Sequence, residues 1–415
     1  MDLEQRLRIL VVGGGLAGLA AAAYLRGRHE VTVLERFTLV DFARNDYAMS
    51  ITANTHRFLR ELGAEDWQLQ AVPLKYVWGC DAKGNVNETV AQSITPSGAT
   101  TIFARRSRIH KELLTAATSP RRAGTPAKIV ENVKITSVDV EDGVIRTEDG
   151  RAFRGDLIIG ADGVNSIVRA AILGTVAPSA SPSGVAAYLC TVPRSALDSD
   201  PSLSFQTNAD AGLATFRGSD ADGRPKSRVL FYPADPNTFQ IVAYHDESPW
   251  VERFEKSGSS IVPRVSQLSM LQTFDDFTDS VKRVLAQATS PDVWRIRDID
   301  RMESWAKGKA VIVGDAAHAI LPYFGLGCNL AIEDGEALGY FLSNVTSASE
   351  LPQALARFAA LRVARAHMVQ LAGRQAAGLV SEEEKESLPP FDGKAFMAKV
   401  YAYFSAEQAS KEMCG

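Results

Sequence analysis

Near the N-terminus, Gly13-Gly14-Gly15-Leu16-Ala17-Gly18 has the spacing G-x-G-x-x-G, a pattern that grips the phosphates of a dinucleotide through the backbone. Gly13 permits a tight turn, Gly15 lets the chain approach a pyrophosphate, and Gly18 allows close helix packing. The helix that opens at Leu16 and Ala17 turns its free N–H groups toward the anion. Glu35 follows 22 residues after Gly13 at the end of the next apolar run, where a carboxylate can accept ribose hydroxyls, and Arg36 stands beside it. This unit suits NAD and FAD equally.

Two later segments carry related chemistry. Asp156-Leu157-Ile158-Ile159-Gly160-Ala161-Asp162-Gly163 is an apolar run ending in a sharp turn, with Ser166 and Arg169 beyond it. Ala310-Val311-Ile312-Val313-Gly314-Asp315-Ala316-Ala317-His318 repeats the theme, and Pro322, Gly325, Gly327, Cys328 and Asn329 follow. Taken singly, Asp162 and Asp315 are as readily turn-formers as ligands. The loop from Pro322 to Asn329 is built of small residues and feeds a helix, so its N–H groups can gather around an anion, and Gly325, Gly327, Cys328 and Asn329 join the cofactor-binding candidates. Cys328 reads as a small loop filler, since no second cysteine is near in sequence, and His318 as structural.

Together with the N-terminal fingerprint, these segments resemble the three signatures of class A flavoprotein monooxygenases, the aromatic hydroxylase family that includes salicylate and para-hydroxybenzoate hydroxylases. The match in order and spacing runs from about residue 8 to about residue 345. The resemblance implies FAD as bound cofactor and NADH or NADPH as a transient reductant without a Rossmann unit of its own. It implies that Asp162 lies in a motif linked to both FAD and the nicotinamide cofactor. Asp315 would meet the FAD ribityl hydroxyls, and Arg106 would contact FAD from a helix start. The implied reaction reduces FAD, adds O₂ at flavin C4a, and passes an electrophilic oxygen from that hydroperoxide to a small, phenol-like aromatic ring. The loop from Arg44 to Ser50 aligns with the region beside the mobile flavin in that family. Tyr188-Leu189 departs from it, since many relatives carry an aromatic followed by Arg there.

These residues need elements to hold them. Ile9 to Val12 predicts a buried strand, Leu16 to Leu25 a helix apolar nearly all round, and Val31 to Leu34 a second strand, which together make a βαβ unit. Asn54 to Leu62 predicts a surface helix stopping at Gly63, and Arg106 to Ala117 a helix with Ile109, Leu113 and Leu114 on one face. Ile129 to Arg151 reads as a meander with turns at two Glu-Asp-Gly triplets. Ala310 to Val313 is strand-like, and Asn329 to Ser343 and Leu355 to Gly373 are helical. The stretch from Val176 to Asp200 is rich in Ala, Pro and Ser, and β-like runs follow at Arg228 to Tyr232 and Phe239 to Tyr244. The fold expected is α/β. A Rossmann-like FAD-binding domain (residues 1–75, 101–180 and 290–345) is interrupted by a mainly antiparallel β-sheet substrate domain (76–100 and 181–289) and followed by a helical segment (346–415). Arg217, Tyr232, Tyr244 and His245 lie on or beside strands of the insert, as candidate catalytic residues to orient a phenol or take its proton.

Composition bounds the alternatives. The 415 residues include 45 Lys plus Arg against 49 Asp plus Glu, a formal charge of -4, which leaves no basic footprint for nucleic acid. Hydrophobic residues make up 46%, enough for a large core. Cys80, Cys190, Cys328 and Cys414 lack C-x-x-C spacing, so neither a metal site nor a disulfide framework is expected. Ile9 to Leu25 is interrupted by glycines and short for a bilayer span, and no secretory layout is visible, so a cytoplasmic monomer or homodimer is expected. Two other readings share the fold: an FAD-dependent reductase or dehydrogenase, and a flavin-fold binding protein without chemistry. The W-x-W-x-I-P pattern of halogenases is absent.

Overall fold

The computed structural model describes residues 6–39, 46–91, 99–174, 177–203, 212–219 and 225–414. Of the Arg44 to Ser50 loop, residues 44 and 45 lie outside the described residues, as does residue 176.

Short β-branched runs make the first layer. Six strands form one sheet in the order Ala306–Lys307, Ala310–Ile312, Leu157–Gly160, Arg8–Val12, Glu30–Leu34 and Lys128–Val130, parallel except at the first pair. Nearly every residue of the central strands is buried, as expected for a parallel sheet covered on both faces. Connections from Arg8–Val12 run outward to Glu30–Leu34 and Lys128–Val130. The chain then returns to place Leu157–Gly160 on the other side. The strand order therefore reverses between Arg8–Val12 and Leu157–Gly160, and ligands of open α/β sheets bind in the crevice at such a switch point.

The helix Leu16–Leu25 has buried residues on all sides because it is covered by the sheet, by helix Arg106–Thr118 and by helix Gly327–Phe341. The helix Ala53–Glu61, expected at the surface, is largely buried instead. Its polar side chains are satisfied inside: Asn54 Nδ2 donates to Glu333 Oε1 at 2.8 Å, and the two His56 ring nitrogens meet Thr100 O at 2.9 Å and Asp66 Oδ1 at 2.7 Å. A polar pattern signals exposure only when no partner awaits it.

The second layer is an eight-stranded sheet in the order Ile261–Val262, Asp292–Asp298, Ser181–Pro193, Thr238–Asp246, Pro225–Asp235, Gly212–Ser219, Tyr76–Asp81 and Val86–Ala91. The Ala/Pro/Ser-rich stretch supplies its 13-residue strand Ser181–Pro193, next to the centre of the sheet. Asp292–Asp298, read from sequence with the nucleotide-binding part, pairs with that strand in this larger sheet. One face packs on short helices through Trp250, Phe254, Phe274 and Phe277; the other turns toward the first layer.

The C-terminal chain forms the long helix Leu351–Ala377 and the helices Gly393–Ala402 and Ala406–Cys414. Phe324, from the loop before helix Gly327–Phe341, packs among Phe391 and Phe396 of this segment. Glu336 fastens the last helix: its carboxylate accepts from Tyr403 Oη at 3.0 Å and from Ala406 N at 3.0 Å. Burial pushes the Glu336 carboxyl up to about 7, against those two donors. A carboxyl raised on folding adds stability below its ordinary pKa of 4.5 and loses it as pH climbs through about 7. Glu336→Gln is expected to flatten the stability profile across that window. It should raise stability above pH ~7 by about 2–3 kcal/mol, read from urea unfolding at a series of pH values.

Candidate functional site

Three turns leave the carboxyl ends of three adjacent strands. At the first, Gly13 takes φ +104°, donates its N–H to Leu34 O at 2.9 Å, and approaches the second turn so closely that a Cβ would lie 2.4 Å from Ala161 O. Only glycine fits on both counts. The helix Leu16–Leu25 starts at Gly15 with no side-chain cap, and the space over Gly15 is open. Glu35 accepts from Gly14 N at 2.7 Å and from Phe37 N at 2.9 Å, so its carboxylate braces the glycine turn as well as ending its strand. Arg36 is exposed, 4.6 Å over the Phe37 ring. His110 was not foreseen. It donates from Nε2 to Gly14 O at 2.8 Å, and burial lowers it to about 4, so it is neutral. Its only signal was its place one turn after Arg106.

At the second turn, Asp162 accepts from Ser166 Oγ at 2.5 Å, Ile167 N at 2.7 Å and Val168 N at 3.2 Å, capping the helix Ile167–Leu173. Burial raises the Asp162 carboxyl, opposed by these donors. Arg169 reaches from that helix to the third turn, with Nη1 donating to Ala316 O at 3.0 Å.

At the third, Gly314 has φ +59°, and a Cβ on it would lie 2.6 Å from Ala17 Cβ. The third turn therefore rests on the helix of the first. Asp315 is exposed in a run whose neighbours are all buried, and among the described residues nothing donates a hydrogen bond to it. Behind the turn, Asp334 accepts from Gly314 N at 2.8 Å, His318 Nε2 at 2.7 Å and Arg362 Nε at 2.8 Å. Glu333 pairs with Arg362 at 3.0 Å and with Arg365 at 2.6 Å. Burial opposes the ionisation of both carboxyls, yet the cations outweigh it and hold both below their ordinary range. His318 is thus a buried brace, as its sequence context suggested.

Asn329 is buried with its amide fully engaged. Nδ2 donates to Ser50 O and Gly325 O, and Oδ1 accepts from Thr52 N and Thr52 Oγ1, tying the small-residue loop to strand Ala48–Ile51. Gly325 lies against Ser50, and the space at Gly327 is nearly free. Burial pushes the Cys328 thiol up to about 12, so it is an uncharged filler. Arg106 begins the helix Arg106–Thr118 with its guanidinium 5.9 Å from the Tyr47 ring centroid. Burial raises the Tyr47 phenol; Arg106 lowers it and Asp315 and Cys328 raise it, so the four groups stand near one another where the turns face the larger sheet.

Opposite lies the larger sheet. Its register sets Trp294, Ala187, Tyr244, Arg228 and Arg217 in one row on one face. Trp294 meets the edge of Tyr47 at 5.4 Å, so this face looks onto the cleft. Of the four candidate catalytic residues, Tyr244 is in the row and buried. Tyr232 is on the same face, but its hydroxyl donates to Ala48 O at 3.1 Å as a strut between the layers. Arg217 is exposed toward the sheet's far end. His245 is a correction: alternation turns it to the opposite face, where its ring lies 4.7 Å from Tyr188 and 6.2 Å from Phe274. Arg228, which the sequence did not single out, stands beside Tyr244 on this face.

The FAD binding domain family matches residues 6–371. This chain belongs to it. Among curated relatives, hispidin-3-hydroxylase of Neonothopanus nambi is 29% identical over 89% of this chain and 88% of its own length. The 6-hydroxynicotinate 3-monooxygenase of Bordetella bronchiseptica is 28% identical over 81% of this chain and 82% of its own. A salicylate hydroxylase substrate complex shares the fold, with a TM-score of 0.74 across 98% of both chains at 23% identity.

FAD needs N–H donors for its pyrophosphate and an acceptor for its hydroxyls. The uncapped helix start at Gly15 and the unpartnered carboxylate of Asp315 supply both, so the residues present fit the cofactor. Among the described residues there is no group of three His, Cys, Asp or Glu able to hold a metal, and no helix is long and apolar enough to cross a membrane. Arg362→Leu is expected to cost about 3–5 kcal/mol, because it leaves two buried carboxylates short of a cation, and to release FAD at lower urea than the wild type. Chemical denaturation followed through flavin fluorescence reads both.

Proposed function

We propose that this chain is an FAD-dependent monooxygenase that uses NAD(P)H and O₂ to hydroxylate a small, electron-rich aromatic ring. The observation that carries the reading is the packing of the three turns on one another at the carboxyl ends of adjacent strands, opposite the apolar face of the larger sheet, an arrangement that would enclose a cofactor edge and a flat substrate together. The relatives named for hydroxylating hispidin and hydroxynicotinate, both oxygenated rings, support that substrate class.

The first turn of helix Leu16–Leu25 would hold the pyrophosphate through its N–H groups, with Glu35 on the ribose, Asp315 on the ribityl hydroxyls and Arg106 near the flavin end. When bound and reduced, FAD supplies the oxygen from O₂ in electrophilic form. The protein's own contribution is position and dryness. Ala187, Leu189, Leu230 and Val242 form an apolar wall that excludes water and lays a ring flat, while Tyr244, held protonated by burial, can donate a hydrogen bond to a ring oxygen. Residues 1–75, 101–180 and most of 290–345 make the nucleotide-binding part and the larger sheet the substrate part. The enzyme acts in the cytoplasm as a monomer or homodimer, with the nicotinamide cofactor as a transient visitor.

Purified protein should be yellow, and a ring of the right class should accelerate NAD(P)H oxidation and yield hydroxylated product with little H₂O₂. Peroxide without product across phenols, hydroxypyridines and hydroxypyrones would refute the monooxygenase reading. Asp315→Ala should leave the melting temperature of the apoprotein unchanged, because the side chain is exposed and unpartnered, and weaken FAD binding by about 10- to 100-fold in a fluorescence titration.

A further inference from the structure

The first glycine turn contains one peptide unit that the turn itself does not hold. On one side, Gly14 N donates to Glu35 Oε2 at 2.7 Å and fixes the preceding unit. On the other, Gly15 O accepts from Leu19 N at 3.0 Å and fixes the following one. The unit between Gly14 and Gly15 joins two residues without side chains, so it can turn over with little displacement of the chain around it. That rotation carries Gly15 from a φ of -75° into the positive range, which glycine tolerates, and nothing lies within 4 Å of where a Gly15 Cβ would stand. The two orientations differ in sign. One adds the Gly15 N–H to the uncapped donors at the start of helix Leu16–Leu25; the other sets a carbonyl oxygen among them, where an anion is to sit.

A side chain from another element decides between them. His110, buried on helix Arg106–Thr118, approaches Gly14 O with Nε2 at 2.8 Å. Burial lowers the ring to about 4, so it carries one proton near neutral pH; a carbonyl only accepts, which puts that proton on Nε2. Across a trans peptide the C=O and the N–H point in opposite directions. The Gly15 N–H is therefore aimed away from His110, and among the described residues it donates to nothing. His110 follows Arg106 by four residues, so the two share a helix face, and the element that carries the arginine also reaches the phosphate-binding turn.

We propose that His110 is a positioning residue for the cofactor: its Nε2–H pins the Gly14 carbonyl, keeps the Gly14–Gly15 peptide turned so that the Gly15 N–H meets the FAD pyrophosphate, and excludes the reversed peptide that would present an oxygen there. The inference needs FAD as ligand and no reaction, so it stands apart from the hydroxylation reading.

The test titrates FAD into apoprotein, reading flavin fluorescence, and records the phosphorus NMR spectrum of the FAD-loaded enzyme. His110→Leu removes the donor and should weaken FAD binding by about 10- to 100-fold; His110→Gln keeps an N–H donor and should stay within about threefold of wild type. With FAD saturating, His110→Leu should move the two pyrophosphate resonances while the flavin absorbance spectrum keeps its wild-type shape, and His110→Gln should restore the resonances. A general loosening of the fold would disturb the flavin spectrum as well, and that outcome overturns the proposal. So does wild-type affinity in His110→Leu, or a His110→Gln as weak as His110→Leu. A measurement on the wild type serves if His110→Leu does not fold: in FAD-loaded protein labelled with nitrogen-15 at histidine, the ring signal lost in His110→Gln should be the neutral form protonated at Nε2 from pH ~6 to ~9. A ring protonated only at Nδ1 overturns the proposal. None of these outcomes reads turnover, so a failed screen for hydroxylated product leaves them intact, and their failure leaves the hydroxylation reading intact.

Discussion

Two adjacent carboxylates on the helix Gly327–Phe341, Glu333 and Asp334, are buried in the middle of the molecule, and the geometry of the cleft depends on how they are neutralised. Asp334 has three partners from two parts of the chain: the N–H of Gly314 and the ring of His318 at the third turn, and the guanidinium of Arg362 on the long helix. That arrangement fixes the turn whose next residue is Asp315. Because a buried ion pair is tolerated only with close geometry and every lone pair met, the network has one low-energy arrangement. The long helix Leu351–Ala377 belongs to the site for this reason: Arg362 and Arg365 are its contribution. Neighbouring Asn54 joins from the buried helix Ala53–Glu61, so three other elements converge on two side chains.

The two layers divide the work along a physical line. The parallel sheet offers backbone: uncapped N–H groups, glycine turns and a carboxylate in the open. The antiparallel sheet offers side chains, because alternation along its strands presents one set to short helices and another to the cleft. Struts such as Tyr232 Oη on Ala48 O hold the sheet over the cleft at a fixed height.

What was legible in the sequence follows the same line. The three turns were readable because each is dictated by backbone needs that leave a residue signature: Gly13 with positive φ against Ala161, Gly314 against Ala17, an acid at each later turn. Strand and helix bounds around them were readable for the same reason; Leu16 to Leu25 forms the helix its composition predicts. The substrate face was not. Tyr244 and His245 differ by one position, and without the register of neighbouring strands nothing says which of them meets the cleft. Arg228 meets Tyr323, about ninety-five positions away, and such partnerships leave no local mark. Asn54 and His56 misled because their polarity is answered by Glu333, Asp66 and Thr100 rather than by water. The Ala/Pro/Ser-rich stretch concealed a 13-residue strand because its small residues pack beneath bulkier neighbours and give no strong alternating pattern.

Tyr323 and Phe324 are consecutive, yet they serve opposite masters. One ring lies 4.4 Å from the Arg228 guanidinium carbon; the other packs against Phe391 and Phe396 of the carboxy-terminal segment. A single peptide unit thus joins the tail of the molecule to the wall facing the turns. Repacking the tail would tilt that unit and alter which ring shapes the enzyme admits, while the phosphate-gripping half, anchored by its own charges, stayed as it was. Selectivity in such a scaffold can drift from a distance, through residues that never meet the molecule being chosen.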